Sequence, residues 1–196
     1  SSTGAIKDPK LAEKFLNSIL NNSERLSAML DDLLELEKIE FGGLVLNRKK
    51  FNVYDQIDLI LESQQALADE NNIIITNYID KNISLKVDKD SFTTIFSNLI
   101  NNSIKYSRKD GNVAIKALQN KDALIISITD KGLGIEKQYL NKVFNRFYRT
   151  PKARANTKGT GLGLSLVKQL ASRMNAETEV ESKIGKGTTV FVTFPT

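Results

Sequence analysis

The first forty residues carry a long helical pattern. Asp8-Pro9 is a helix-start signal, because Asp serves as an N-cap and Pro is tolerated in the first turn. Apolar residues then recur at spacings of four and three, with Asn22 as the one polar interruption, at Phe15, Ile19, Leu26, Met29, Leu33 and Leu36. Gly42-Gly43 ends the pattern. A helix of about 30 residues spans about 45 Å, so we expect its apolar stripe to be buried on another helix.

Beyond the glycine pair, shorter apolar segments alternate between the two regular periods. They predict helices at 53–70, 91–106 and about 161–174, and strands at 44–47, 73–79, 113–118, 123–129, 177–182 and 188–194. Neighbouring strands without a helix between them argue against a doubly wound parallel sheet. We therefore predict an α/β fold, a two-layer sandwich of a mixed β-sheet with helices on one face, preceded by the long N-terminal helix.

The amino-acid composition excludes several kinds of chemistry but says less about the fold. The 196 residues include no Cys, Trp or His and carry a net charge of +5. This excludes disulfides, thiolate nucleophiles, Ser-His-Asp triads and imidazole bases within the chain. The positive charge suits nucleic acid, an acidic membrane surface or phosphate groups equally well. No segment approaches the roughly 20 apolar residues of a membrane-spanning helix, so we expect a soluble chain.

The helix at 91–106 carries two amides on one face. Asn98 and Asn102 are four residues apart, and Lys105 continues the same face. A side-chain carbonyl oxygen is a suitable ligand for Mg²⁺, which shares phosphate oxygens and keeps most of its waters. The neighbouring lysine would neutralise those phosphates. A solvated polar face is the alternative interpretation.

Two glycine-rich segments supply further candidate chemistry. Asp130 follows an apolar strand and precedes Gly132 and Gly134, so its carboxylate can accept from an exocyclic amine beside backbone that approaches a flat ligand closely. A common Asp-Gly turn is the alternative. The segment 159–164 (GTGLGL) opens a helix, where free N–H groups and the helix dipole favour an anion. It is neither a dinucleotide-binding fingerprint nor a P-loop.

Taken together, five segments resemble the ordered motifs of sensor histidine kinases. The N box corresponds to 98–106 (NLINNSIKY), the F box to 143–149 (VFNRFYR), and the glycine boxes to 130–135 (DKGLGI), 159–164 and 185–188 (GKGT). The resemblance implies that 44–196 is a catalytic ATP-binding kinase domain with the Bergerat fold shared with gyrase, MutL and the ninety-kilodalton heat-shock chaperones. It implies that 1–43 is the second helix of a dimerisation and histidine-phosphotransfer domain.

The resemblance also implies ATP and Mg²⁺ as ligands and assigns roles. Asn102 would bind Mg²⁺ beside Asn98, Asp130 would take the adenine amino group, and Tyr148 would begin a lid over the phosphates. The residues implied to bind ATP are Asn98, Asn102, Lys105, Tyr106, Asp130, Gly132, Gly134, Ile135, Tyr148, Arg149, Gly159, Thr160, Gly161, Leu162, Gly163, Leu164 and Thr188. In the ATP-hydrolysing relatives a Glu stands where this chain has Asn98, so slow hydrolysis is expected here.

One departure from the family concerns the phosphate acceptor. The family's acceptor His, with its adjacent acidic base, lies on a first phosphotransfer helix, and this chain has no His. We therefore expect no catalytic residue in this chain and no autophosphorylation. The implied partners are a His-bearing phosphotransfer helix of a homodimeric, cytoplasmic or membrane-anchored parent kinase and a response regulator, without contact to nucleic acid or membrane.

Three alternatives to a kinase fragment stay open at this stage. The chain could be a degenerate kinase that binds nucleotide as a regulator. It could be a stand-alone kinase acting on a separate protein. It could also be an interaction module whose long helix pairs with other helices.

Overall fold

The long N-terminal helix forms as predicted. The structure is a computed structural model that describes residues 8–40, 43, 45–156 and 159–196. Helix α1 covers Pro9–Glu40, and Asp8 Oδ1 accepts a hydrogen bond from the Lys10 N–H at 3.0 Å, as expected of an N-cap. The predicted end at Gly42 lies outside the described residues.

The remaining elements include pairs of consecutive strands as well as helices. In chain order they are β1 (Arg48–Asn52), α2 (Val53–Glu70), β2 (Ile74–Asn77), β3 (Ser84–Asp88), α3 (Lys89–Tyr106), β4 (Asn112–Gln119), β5 (Ala123–Asp130), a 3-10 helix (Lys137–Lys142), α4 (Pro151–Asn156), α5 (Gly163–Arg173), β6 (Glu177–Lys183) and β7 (Gly187–Pro195). None of the helices in this described part is long and apolar enough to cross a bilayer.

Five strands form one mixed sheet in the order β2-β4-β5-β7-β6. β2 runs parallel to β4 and the other pairs are antiparallel. Along β5 every second residue is buried, including Leu124, Ile126 and Ile128. This face packs on the buried sides of α2, α3 and α5 in one apolar core. The predicted two-layer α/β sandwich is confirmed.

Two strand predictions were wrong in detail. Residues 45–47 of the predicted strand at 44–47 are not in a strand, and Leu44 lies outside the described residues. Pairing begins instead at Arg48, where β1 runs antiparallel to β3 in a separate two-stranded sheet. β3 was not predicted, because the short strand leads directly into a helix. Its last residue, Asp88, caps α3: the Asp88 carboxylate accepts a hydrogen bond from the Ser91 N–H at 2.8 Å.

The second half of α1 packs on the sandwich. Leu36 is fully buried and Ile39 is 3% exposed, whereas Leu16 and Leu26 earlier in the helix are each 66% exposed. Glu40, the last residue of α1, forms an ion pair with Arg146 and accepts a hydrogen bond from Gln169 Nε2 at 3.2 Å. The helix therefore contacts the domain at one end and leaves an apolar stripe uncovered at the other.

Candidate functional site

A cleft of about 400 Å³ lies between α3, the loop after β5, the 143–153 segment and the start of α5. Most of the sequence-predicted site residues surround it. Those that line the cleft are Asn98, Asn102, Lys105, Tyr106, Asp130, Gly134, Ile135, Tyr148, Arg149, Gly159, Thr160, Gly161, Gly163, Leu164 and Thr188. A volume of this size suits a small-molecule ligand.

Two predicted site residues lie behind the cleft wall. The Gly132 N–H donates to Asp130 Oδ1 at 2.8 Å. Leu162 is fully buried, and its N–H donates to Thr160 Oγ1 at 3.2 Å. Each therefore orients a lining residue, and the Leu162 N–H is engaged within the protein.

Asp130 ends β5 with its carboxylate turned toward the cleft. It is 7% exposed, and Oδ1 accepts from the backbone N–H groups of Gly132, at 2.8 Å, and Thr188, at 3.2 Å. Burial raises the pKa of this carboxyl to about 6, although the two N–H donors act in the opposite direction. Both hydrogen bonds to this carboxylate from the described residues end on Oδ1, so Oδ2 is left to bind a donor from a ligand.

The strand ends around Asp130 are packed backbone against backbone. Gly187 has φ +112, and a Cβ there would overlap the Asp130 carbonyl oxygen, so only glycine fits. Ser182 Oγ accepts from the Ile135 N–H and donates to the Gly187 carbonyl, each at 2.8 Å. These bonds fix the loop after β5 to the start of β7 and make this end of the cleft rigid.

The amides of α3 face the start of α5. The apolar side of α3 is buried in the core, which leaves Asn98 and Asn102 on the cleft side. Asn98 Nδ2 donates to the Thr94 carbonyl at 2.9 Å, which directs Oδ1 away from that bond. A Cβ on Gly163 would lie 2.7 Å from Asn98 Oδ1, so the glycine permits the two helices to approach this closely.

The start of α5 has the features of an anion site. Its N-terminal residue is Gly163, and no side chain caps it, so the first N–H groups and the helix dipole are directed toward the cleft end. Arg149 fixes the facing segment, because its Nη1 donates to the Gly159 carbonyl at 3.3 Å and its Nη2 to the Ala153 carbonyl at 2.6 Å. Residues 149–156, which include α4, and Gly159 thereby form a cover beside the α5 N-terminus.

One acidic residue in the cleft was missed by sequence reasoning. Asp32 of α1 lines the cleft, and its Oδ2 accepts from Thr160 Oγ1 at 3.1 Å. Burial raises the pKa of Asp32, against the Thr160 hydrogen bond and the Lys105 charge. Desolvation lowers the pKa of Lys105; Asp32 opposes this and Arg149 reinforces it. No sequence motif could have predicted this contact, because 128 residues separate Asp32 from Thr160.

The apolar lining was also missed. Val180 of β6 and Val190 of β7 are paired in register and both line the cleft. Leu133, Val143 and Phe144 add further apolar surface. Apolar walls beside one buried carboxylate suit a flat, weakly polar ring that carries an amino group. The available signal was the alternation of apolar and polar residues along β6 and β7. It indicates which residues share one face of the sheet, but not what that face contacts.

The described residues contain no group of three or more acidic, His or Cys side chains that could hold a metal ion alone. The cleft instead offers amide oxygens, from Asn98, Asn101 and Asn102, beside an uncapped helix start. This donor set fits Mg²⁺, which commonly takes one or two protein oxygens and completes its octahedron with phosphate oxygens and water.

Comparisons with known proteins identify the family of the chain. Residues 87–196 match the family model described as histidine kinase-, DNA gyrase B- and HSP90-like ATPase. The sensor histidine kinase WalK of Bacillus subtilis is 33% identical over 195 residues, covering 98% of this chain and 32% of WalK. The chain thus spans about a third of the length of that relative.

Solved structures share the fold over nearly the whole chain. ShkA, solved in complex with AMPPNP, has a TM-score of 0.81 at 19% identity, covering 93% of this chain and 38% of ShkA. The histidine kinase ThkA, solved in complex with the response regulator TrrA, has a TM-score of 0.79 at 20% identity, covering 96% of this chain and 52% of ThkA.

Proposed function

Because the chain belongs to the histidine kinase-, DNA gyrase B- and HSP90-like ATPase family, we propose that it binds Mg-ATP and donates the γ-phosphate to a histidine of a phosphotransfer domain. The observation that carries this proposal is a cleft with two chemically different ends. Asp130 stands among apolar side chains at one end, and Asn102, Lys105 and the uncapped start of α5 stand at the other.

The Asp130 end would bind adenine. The free Oδ2 accepts from the exocyclic amine, while the Gly132 and Thr188 N–H groups hold the carboxylate in place through Oδ1. Val180 and Val190, which line the cleft, would contact the ring faces. Guanine presents a carbonyl oxygen where adenine has its amine, so the carboxylate would repel it and select adenine.

The other end would hold the phosphates and the metal ion. The Asn102 amide oxygen, with Asn98 beside it, would bind Mg²⁺, and the Lys105 ammonium would neutralise phosphate charge. Bound Mg²⁺ supplies charge neutralisation and orients the phosphate oxygens. The N–H groups of Gly163 and Leu164 at the start of α5 would donate to the phosphate chain, with Gly159, Thr160 and Gly161 forming the approach to it.

In the transfer step an imidazole nitrogen of the acceptor forms a bond to the γ-phosphorus. The bond from that phosphorus to the bridging oxygen breaks, and its electron pair leaves with ADP. The imidazole proton passes to a base on the acceptor domain. Asn98 is an amide and cannot act as a base toward water, so this chain's residues position the nucleotide without promoting its hydrolysis.

We infer the domain assignment from the same resemblance. Residues 1–43 would be the second helix of a dimerisation and phosphotransfer domain, and 44–196 the kinase domain. The exposed apolar stripe on the first part of α1, which includes Phe15, Ile19 and Leu26, supports pairing with other helices. The parent kinase would be a dimer that passes phosphate to a response regulator in the cytoplasm.

The test mixes this chain with Mg-ATP labelled on the γ-phosphate and a separate His-bearing phosphotransfer domain. Since the chain has no His, label is expected on the partner and not on the chain itself. Asp130→Asn is the matched variant, because it keeps size but removes the charge that accepts from adenine, and it should slow labelling at limiting ATP. Label that fails to reach any such domain, although ATP binds, would support a nucleotide-binding regulator instead.

A further inference from the structure

The contact between α1 and the rest of the molecule is built from several independent interactions. Leu36 and Ile39 bury their side chains, and Glu40 binds both Arg146 and Gln169. Gln169 belongs to α5, and Arg146 lies within the 143–153 segment that borders the cleft. The second half of α1 is therefore docked on the two elements that border the phosphate end of the cleft.

This docking places a carboxylate inside the cleft. Asp32 lies one helical turn before Leu36 and accepts from Thr160 Oγ1 at 3.1 Å. The same Thr160 oxygen accepts from the Leu162 N–H at 3.2 Å, immediately before the uncapped start of α5. Asp32 thus occupies the approach to the helix N-terminus.

The groups around Asp32 are those that bind phosphate. Lys105 is close enough to stabilise the charged form of Asp32, and Asp32 in turn raises the pKa of the lysine against its desolvation. A hydroxyl donor, an ammonium and a helix N-terminus are the usual ligands of a phosphate oxygen. The Asp32 carboxylate accepts directly from the Thr160 hydroxyl and lines the same cleft as Lys105, so a second anion brought to these groups would be repelled by it in a partly desolvated cleft.

We propose that the Asp32 carboxylate of docked α1 occupies part of the subsite that a nucleotide's phosphate chain takes, so that docking of α1 and binding of the phosphates exclude each other. This inference rests on the proposed function, because it requires that ATP binds in this cleft. The adenine end, where Asp130 lies, is not blocked by α1.

Exclusion of this kind is reciprocal. If docked α1 weakens phosphate binding, bound phosphate weakens α1 docking by the same factor. Adenosine, which has no phosphate, leaves the helix docked, whereas ATP releases it. The nucleotide would therefore set the position of the helix that we assign to the phosphotransfer domain.

The experiment compares Mg-ATP and adenosine binding to the full chain by calorimetry. Asp32→Asn removes the competing charge and should tighten ATP binding about fivefold or more, the usual lower range of coupling between two sites, while adenosine affinity changes less than about twofold. Asp31→Asn is the matched control: it removes the same charge from the neighbouring exposed position and should leave both affinities unchanged.

A second variant separates helix docking from simple charge. Leu36→Ala changes no charge but removes a fully buried docking side chain, so it should also tighten ATP binding and not adenosine binding. Amide exchange at residues 32–40 should become faster with saturating ATP than with adenosine.

The outcomes are distinguishable. Equal ATP affinity in wild type and Asp32→Asn would overturn the exclusion, as would equal tightening of adenosine. Tighter ATP binding in Asp32→Asn without any change in Leu36→Ala would mean that the charge acts without helix release, which also overturns it. Absence of ATP binding in the wild type and in all three variants would instead overturn the proposed function itself.

Discussion

The two ends of the cleft, the proposed base end at Asp130 and the proposed phosphate end at Asn102, Lys105 and the start of α5, are held together in different ways. At the base end Asp130 stands on the last residue of β5, and the backbone of β7 donates to it directly through the Thr188 N–H. At the phosphate end, side chains make the connections: Arg149 holds the cover and Asp32 receives the Thr160 hydroxyl. Sheet register fixes the first arrangement, whereas the second depends on single hydrogen bonds worth about 1 kcal/mol each.

The difference indicates which part of the cleft can rearrange. Moving Asp130 would break the ladder between β5 and β7, which pairs along eight positions from Ala123 to Asp130. Moving the phosphate end requires only that a few side-chain bonds exchange, with Leu36 and Ile39 leaving their contacts. Regions held by few contacts open at lower free energy than the core does. We therefore expect base recognition to be constant and phosphate recognition to be adjustable.

Gly187→Ala should have the largest effect on stability and binding, because it disrupts the backbone packing at the Asp130 end of the cleft. The new Cβ would overlap the Asp130 carbonyl oxygen at φ +112, so β5 and β7 must separate locally. We expect the free energy of unfolding in urea to fall by about 3 kcal/mol or more and adenosine binding to be lost. Gly185→Ala is the control: it also has positive φ (+74), but its Cβ would meet only the end of the Arg108 side chain, at 3.5 Å. If Gly185→Ala lowered the free energy of unfolding as much as Gly187→Ala does, overlap of the new Cβ with backbone would not be the cause of the destabilisation.

The pKa of Asp130 provides the second prediction. This carboxyl has a pKa of about 6 in the folded chain, against 3.8 ordinarily, so the folded chain binds the proton more tightly than the unfolded chain. Its contribution to stability is therefore present below about pH 4 and is lost as the pH rises through about 6. Between pH 4 and 7 the free energy of unfolding of wild type should fall by about 2 kcal/mol relative to Asp130→Asn. Parallel urea-midpoint curves for the two chains would show that Asp130 is not desolvated as described.

Asn98→Glu tests the phosphate end by chemistry. The amide has no basic function, and a carboxylate at this position could activate water, so hydrolysis of ATP should rise about tenfold or more while binding persists. Asn98→Gln has the same length without the base and should not raise turnover. The measurement is steady-state release of phosphate. Equal rates in the two variants would remove the argument that Asn98 keeps hydrolysis slow.

The sequence predicted the base end better than the phosphate end for a physical reason. Asp130, Gly134 and Thr188 are set by local turn chemistry and by strands whose alternation is visible along the chain, and the kinship with sensor histidine kinases inferred from those motifs is confirmed by the family match over 87–196. The mixed sheet and the long helix were also predictable from periodicity. The assigned ligand roles stay predictions.

What could not be predicted depends on contacts between distant segments. Asp32 belongs to a helix whose pattern indicated only an apolar stripe, and its carboxylate reaches the cleft because Leu36 and Ile39 dock one and two turns later. β3 escaped prediction because it pairs with β1, about 36 residues earlier in sequence, where Leu85 lies opposite Phe51. A local sequence pattern shows that one face of an element is buried, but it does not show which distant segment covers that face.

The smallest effect is expected from Glu40→Gln, and it identifies what holds α1. The ion pair with Arg146 has side chains that are 35% and 43% exposed, so solvent screens it and its loss should weaken docking by less than about 1 kcal/mol. Leu36→Ala removes a fully buried side chain and should weaken docking more, since the transfer and cavity terms for Leu to Ala are typically about 2 kcal/mol or larger. Amide exchange at residues 32–40 in the nucleotide-free chain measures both. If the two variants release the helix equally, the phosphate end is held by charge rather than by apolar packing, and its opening would then depend strongly on salt concentration.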